Sequence, residues 1–313
     1  MRGTRRLTPK KKNKYKDNLS AAPFLLPSLS GFVLLSLIPI VLTFLISLTS
    51  WSGLQSLSVF SSAFWQENFI GLDNFKEILK SEEFWRVLKN TSYFLVIYLP
   101  LMFMGSLGIA LLLNKPYKGS KFLRILYYIP VLTSWIAGAL IWKWVLSPQY
   151  GILNNILEIF GINGPGWLLD EKWAMPGIVL ASVWKDIGFY GLILLGGLKA
   201  INPVYYEVAQ IDGASKAKQF FKIVLPLLSP SIFFILIISL INGFQIFPQV
   251  MIMTTDAGPN GATQVFVERI YKYGFRYYEM GYASALSWIL FIIVFIFTTI
   301  QQKLEKKWVN YDA

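Results

Sequence analysis

Six apolar runs, each about twenty residues or longer, dominate the sequence: about 24–48, 91–113, 125–146, 176–198, 229–249 and 281–300. A hydrocarbon layer about 30 Å thick is crossed by roughly 20 apolar residues in a helix. Inside that layer no water satisfies an exposed N–H or C=O, so each run must close its own backbone hydrogen bonds. The runs therefore predict an all-α integral membrane protein with six transmembrane helices. Charge content agrees, because only 15% of the 313 residues are charged, against roughly a quarter in soluble domains. The expected organisation is a basic segment over residues 1–18 followed by a single transmembrane domain over 19–313. No repeat of a solenoid or propeller period is visible.

Charge placement gives direction. Residues 1–18 carry Arg2, Arg5, Arg6, Lys10, Lys11, Lys12, Lys14 and Lys16 against one acid, Asp17. Such a run can attract RNA or anionic lipid. Ahead of an apolar span it holds the N-terminus in the cytosol, so membrane lipid is an expected partner and nucleic acid is not. The first run is too long for a signal-peptide core and lacks a small-residue cleavage site. It should remain as a span, bent at Pro27 and Pro39. The N-terminus, the 114–124 loop, the polar stretch 199–226 and the tail together hold 19 Lys and Arg. The segments 49–90, 147–175 and 249–280 hold 8. That excess predicts that both termini are cytosolic.

Much chemistry is excluded. Zero Cys and zero His remove thiol nucleophiles, disulfides, most zinc sites and the usual general base. There is no phosphate-binding loop; Gly119-Ser120-Lys121 lacks the first Gly and the preceding strand. The chain is read as a non-enzyme that binds no cofactor or metal itself. Polar residues at membrane depth remain. Lys185 and Asp186 interrupt the fourth run, and a charge there costs about 2.5–3.5 kcal/mol on insertion scales, so each should face protein or water. They belong either to a passage or to a local helix break partnered elsewhere in the bundle. Asn242 and Gln245, three apart, share a helical face. They suit sugar hydroxyls, with Trp184 or Phe244 stacking on a ring, or else bond helix to helix.

The stretch 199–226 is a polar island between two apolar runs. Asn202 can cap a helix and Pro203 is preorganised for its first position. Asp212-Gly213 breaks that helix, because Gly takes up positive φ without steric cost. Ser215 or Asp212 can cap a second helix, which Pro226 helps to end. The expectation is a helix–turn–helix at the membrane surface that exposes the carboxylate of Glu207.

At these residues the chain resembles a known family. Glu207, Ala209, Gly213, Ile223 and Leu225-Pro226 fall at the spacings of the "EAA loop" of ABC importer permeases. The run from Glu207 through Asp212, Gly213 and Ala214 to Ser215 is similar to the carbohydrate branch, and Val208 departs from the usual Ala. The resemblance extends to Gly71-Leu72-Asp73-Asn74-Phe75 and Gly281-Tyr282-Ala283-Ser284-Ala285, and to a Gly-Gly-Pro turn with one Gly replaced at Ala257-Gly258-Pro259. It implies a coupling helix between spans four and five, docked on an ATPase through Glu207, Ala209, Asp212, Gly213, Ala214, Leu225 and Pro226. It further implies an importer of a sugar or related carbohydrate in the cell membrane, of the maltose/glycerol-phosphate "first" permease type. Implied partners are a related second permease in a heterodimer, two ATPase subunits carrying ATP and Mg, and an extracytoplasmic solute-binding protein. The rivals are an ion-coupled secondary carrier, for which internal repeats would be expected, and a non-transporting membrane scaffold. With reporters fused at Ala313 and within 147–175, only the Ala313 fusion should report from the cytosol; equal cytosolic labelling would refute the six-span arrangement.

Overall fold

Prolines and serines decide where the long helices of this chain bend and begin. The computed structural model describes residues 14–55, 58–115 and 118–311. Helix α1 (Lys14–Phe32) passes through a π turn, Val33–Leu37, into α2 (Ile38–Ser47). The π turn ends two residues before Pro39, so the wider ring accommodates the missing N–H at the bend expected there. Helices α3 (Ser62–Asn68) and α4 (Asp73–Lys80) follow, then α5 (Glu82–Asn114). Helix α5 starts at Glu82 rather than near residue 91, because Ser81 accepts a hydrogen bond from Phe84 N at 3.2 Å. Glu82 and Glu83 in its first turn complement the helix dipole.

The third apolar run is not one straight span. It forms α6 (Ser120–Leu132) and α7 (Trp135–Val145), bent by 100°. Thr133 is extended, and Ser134 caps the new helix by accepting from Ala137 N at 3.2 Å. Helix α8 (Ile152–Ile159) is the short element of segment 147–175, and α9 (Ala174–Ala200) runs unbroken through Lys185 and Asp186. Next come α10 (Val204–Ile211), α11 (Lys216–Gln219), a π turn at Phe220–Val224, and α12 (Leu225–Phe244). Pro226 therefore does not end a helix. The π turn before it absorbs the missing donor, and one apolar length runs from Lys216 to Phe244. The fifth span stops at Phe244 rather than near residue 249, because Phe247 is non-helical and Pro248 opens α13 (Pro248–Met253). Helices α14 (Phe266–Phe275) and α15 (Met280–Trp308) complete the chain. Among the described residues five helices are long and apolar enough to cross a membrane, six if α6 and α7 count as one.

Helices α5 and α9 form the central pair, and small residues let them close. Ser106 Oγ donates to Ile187 O at 3.2 Å, and a Cβ on Gly191 would lie 3.2 Å from Ile109. Buried Met102, Tyr190 and Leu194 fill the seam, while α12 adds Leu228. Helix α6 crosses α9 so closely at Gly188 that a Cβ there would overlap the carbonyl oxygen of Tyr127.

The segments of low basic content gather at one end of the bundle. Asn74 Nδ2 donates to Thr49 O at 2.8 Å, and Asn260 Nδ2 to Glu171 at 2.9 Å. Arg269 bridges Glu83 at 2.8 Å and the fully buried Glu268 at 2.7 Å, while Lys272 reaches Glu268 at 3.0 Å. Burial alone would lower the pKa of Arg269, but its bonds to Glu268 and the charges of Glu268 and Glu83 raise it above its ordinary value. Burial, reinforced by Glu83, also pushes the Tyr273 phenol well above its usual value. At the opposite end, Asn310 N donates to Ser229 Oγ at 2.9 Å and ties the tail to the start of α12.

Gly188→Ala should destabilise the bundle by more than the ~1–3 kcal/mol of ordinary overpacking, read as a lower thermal midpoint in detergent. Gly196→Ala, whose Cβ would meet nothing within 4 Å, serves as the control and should change little.

Candidate functional site

Ser182, Asp186 and Tyr190 recur every four residues on α9 and so share one face. That face meets α5, where Tyr98 donates its hydroxyl to Asp186 Oδ2 at 2.7 Å. Phe94 stacks on Tyr98, ring centroids 5.0 Å apart, and fixes the phenol. The C-terminal end of α12 brings Asn242 and Gln245 to the same place, and α13 brings Gln249. Together with Trp135 at the start of α7 they enclose a cavity of about 330 Å³, within the ~300–1,000 Å³ range of small-molecule sites. Gln249 is 4% exposed, and its Oε1 has no hydrogen-bond partner. The cavity lies about halfway along α9, within the apolar length.

Lys185 turns away from this cavity. Its ammonium donates to Pro130 O at 3.0 Å, to Val131 O at 3.3 Å and to Thr133 O. The break between α6 and α7 leaves Val131 O and Thr133 O without another donor, whereas Pro130 O also accepts from Thr133 N at 3.2 Å and Thr133 Oγ1 at 2.6 Å. The ammonium also lies 5.3 Å from the centroid of the Trp135 ring, a cation–π distance. The helix break weighed for Lys185 thus exists, but in the neighbouring helix and not its own.

Of the six pathway candidates, Asp186, Asn242 and Gln245 line the cavity. Trp184 packs edge-on against Trp142 at 5.9 Å, and Phe244 is buried against Phe297 at 5.4 Å. Neither these two nor Lys185 is among the lining residues. Tyr98, Trp135, Ser182 and Gln249 were not singled out from the sequence. The four-residue spacing of Ser182 and Asp186 would have found one of them. Gln249, seven residues after Asn242 and four after Gln245, continues their helical spacing and could have been found the same way.

The island forms as its local chemistry directs. Asn202 Oδ1 accepts from Val204 N at 3.0 Å ahead of α10. Gly213 has φ +71°, and two bonds close the end of α10: Gly213 N to Gln210 O at 3.1 Å and Ala214 N to Ala209 O at 2.9 Å. That pair of bonds is a Schellman motif. Asp212 sits at the C-cap of α10, while Ser215 caps α11 by accepting from Lys218 N at 3.3 Å. Ala209 faces inward, and Ala214, Leu225 and Pro226 are half-buried. Glu207 is exposed beside an apolar stripe of Val204, Val208 and Ile211, the last 84% exposed.

A buried polar cavity inside a lipid-facing helical bundle, with an exposed amphipathic hook at one end, defines a multi-pass membrane transport subunit. Residues 93–310 match the model of the binding-protein-dependent transport system inner membrane component, and the chain belongs to that family. It is a permease subunit of an ABC transport system. It is 35% identical to the "Probable ABC transporter permease protein YesP" of Bacillus subtilis (strain 168), over 95% of this chain and 94% of that one. It is 34% identical to the "Trehalose/maltose transport system permease protein MalF" of Thermococcus litoralis, over 94% and 96%. A solved chain of a bacterial ABC transporter importing the acidic polysaccharide alginate shares the fold, with a TM-score of 0.78 at 24% identity over 94% and 97%.

Lys185→Met should leave the carbonyls of Val131 and Thr133 without a donor. At about 1–3 kcal/mol per buried unsatisfied group, the loss should be about 2–4 kcal/mol, measured as a lowered thermal midpoint with altered Trp135 fluorescence. Lys185→Arg, which keeps the charge and donors, should recover part of it.

Proposed function

We propose that this chain carries a sugar or related carbohydrate inward through the membrane, as one of two permeases served by a separate ATPase pair and an external solute-binding protein. The observation that carries the reading is the island. It presents an exposed carboxylate and an apolar stripe on a helix closed by a left-handed Gly, at the spacing of the family's ATPase-coupling loop. An apolar stripe with 84% of Ile211 open to solvent is suited to burial in a partner's cleft. Glu207 supplies charge-assisted hydrogen bonds there, each worth roughly 1.5–3 kcal/mol.

The excess of basic residues sets the island, the tail and the N-terminus in the cytosol. ATP and Mg then belong to the partner, and this chain contributes the passage. Asp186, Asn242 and Gln245 are the side chains assigned to that passage, with Tyr98, Trp135, Ser182 and Gln249 beside them. The sister permease is taken to be a different, related chain. The ion-coupled carrier keeps no observation in its favour.

Glu207→Ala should weaken recruitment of the ATPase by about tenfold or more. Gly213→Val should abolish uptake, because a non-Gly residue at φ +71° is strained by about 1–2 kcal/mol and projects toward the docking face. Both variants should insert normally. Uptake and ATPase co-purification from native membranes are the measurements; normal transport with the ATPase retained in both would reduce the island to a connector.

A further inference from the structure

The Asp186 cavity holds one-sided charge. Among the described residues its lining contains one carboxyl group, that of Asp186, and no Lys or Arg. The sequence contains no His to supply a positive charge. The one nearby cation, Lys185, has its donors directed at the carbonyls of Pro130, Val131 and Thr133. The remaining polar groups are neutral: Ser182, Asn242, Gln245 and Gln249.

We infer that this cavity selects its solute by charge, accepting neutral polyhydroxylated molecules and rejecting anionic ones, with Asp186 as the determining residue. The inference rests on the reading of the cavity as part of a carbohydrate passage. Two acceptors there call for donors. Tyr98 serves Asp186 Oδ2, while Oδ1 takes no hydrogen bond from the described residues, and the buried Gln249 Oε1 has no partner. A sugar hydroxyl donates to either oxygen, and two vicinal hydroxyls can serve a carboxylate together. A uronate, sulfonate or phosphate offers acceptor oxygens instead. It would also bring a second negative charge within a few Å of the partly buried Asp186, where like charges are screened less than in bulk water. The fold leaves this choice open, since the T. litoralis relative is named for trehalose and maltose and the alginate transporter for an acidic polysaccharide.

The test uses the assembled importer, this chain with its sister permease and ATPase, in nanodiscs. Saturation-transfer NMR would measure binding of a panel of neutral di- and trisaccharides and of their uronates, which keep the rings and carry a carboxylate in place of one hydroxymethyl group. In the wild type, the best neutral probe should bind at least about tenfold more tightly than its uronate. Asp186→Asn, which keeps the size and an acceptor for Tyr98, should shrink that ratio to about threefold or less. Asp186→Ser is the second variant, and ATPase co-purification checks that each remains assembled. Equal affinity for both members of each pair in the wild type would overturn the inference, as would an unchanged ratio in both variants. Failure of every neutral probe to bind the intact complex would overturn it as well. That last result, with the ATPase still co-purifying, would spare the importer reading; loss of the ATPase would count against the importer reading instead.

Discussion

The ammonium of Lys185 makes the rest of the membrane interior possible. A helix that breaks in a low-dielectric layer leaves its last carbonyls without donors, and no water is there to replace them. At the end of α6 this happens at Val131 and Thr133, and a single side chain from α9 answers both while sharing Pro130 O with Thr133. The arrangement offsets two costs at once, since a buried cation also needs acceptors. With the break stabilised, α7 leaves at 100° and delivers Trp135 to the cavity. Lys185 and Asp186, neighbours in sequence, thus divide their tasks between a helix end and a solute-sized space.

Helix α9 also joins the two functional regions. Asp186 lies fourteen positions before its last residue, Ala200, or about 21 Å at 1.5 Å per residue. The island begins immediately beyond. The close contacts of α9 with α5 and α6, enforced by Gly191 and Gly188, make it a stiff rod between cavity and hook. Between Asp186 and Ala200 the helix has no break.

The sequence was most legible where the chemistry is local. Apolar length located the long helices but read the bent pair α6 and α7 as one straight span, and capping residues with Gly213 located the island's turn, because those signals depend on neighbours a few positions apart. The bend at Thr133-Ser134 was hidden, since both residues are small and apolar length alone reads through them. Ser134 as a cap becomes visible only once the helix is known to stop. The cavity was half legible. Asp186, Asn242 and Gln245 announced themselves as polar groups in apolar runs, while Tyr98 and Trp135 looked like ordinary membrane aromatics and Gln249, though on the face of Asn242 and Gln245, sat at the last position of its run. The replaced Gly of the Gly-Gly-Pro turn has a physical echo: Ala257 adopts φ +63°, a conformation glycine takes without strain.

The π turn at Phe220–Val224 fixes an arithmetic of chain length. A π turn holds one residue more than the α turn it replaces, and each α-helical residue advances the face by about 100°. Both kinds of turn close one full circle, so the extra residue is absorbed locally and α11 keeps its facing relative to α12. The same one-residue change inside α12 would rotate the hook by about 100°, so this turn is where the segment tolerates a change in length.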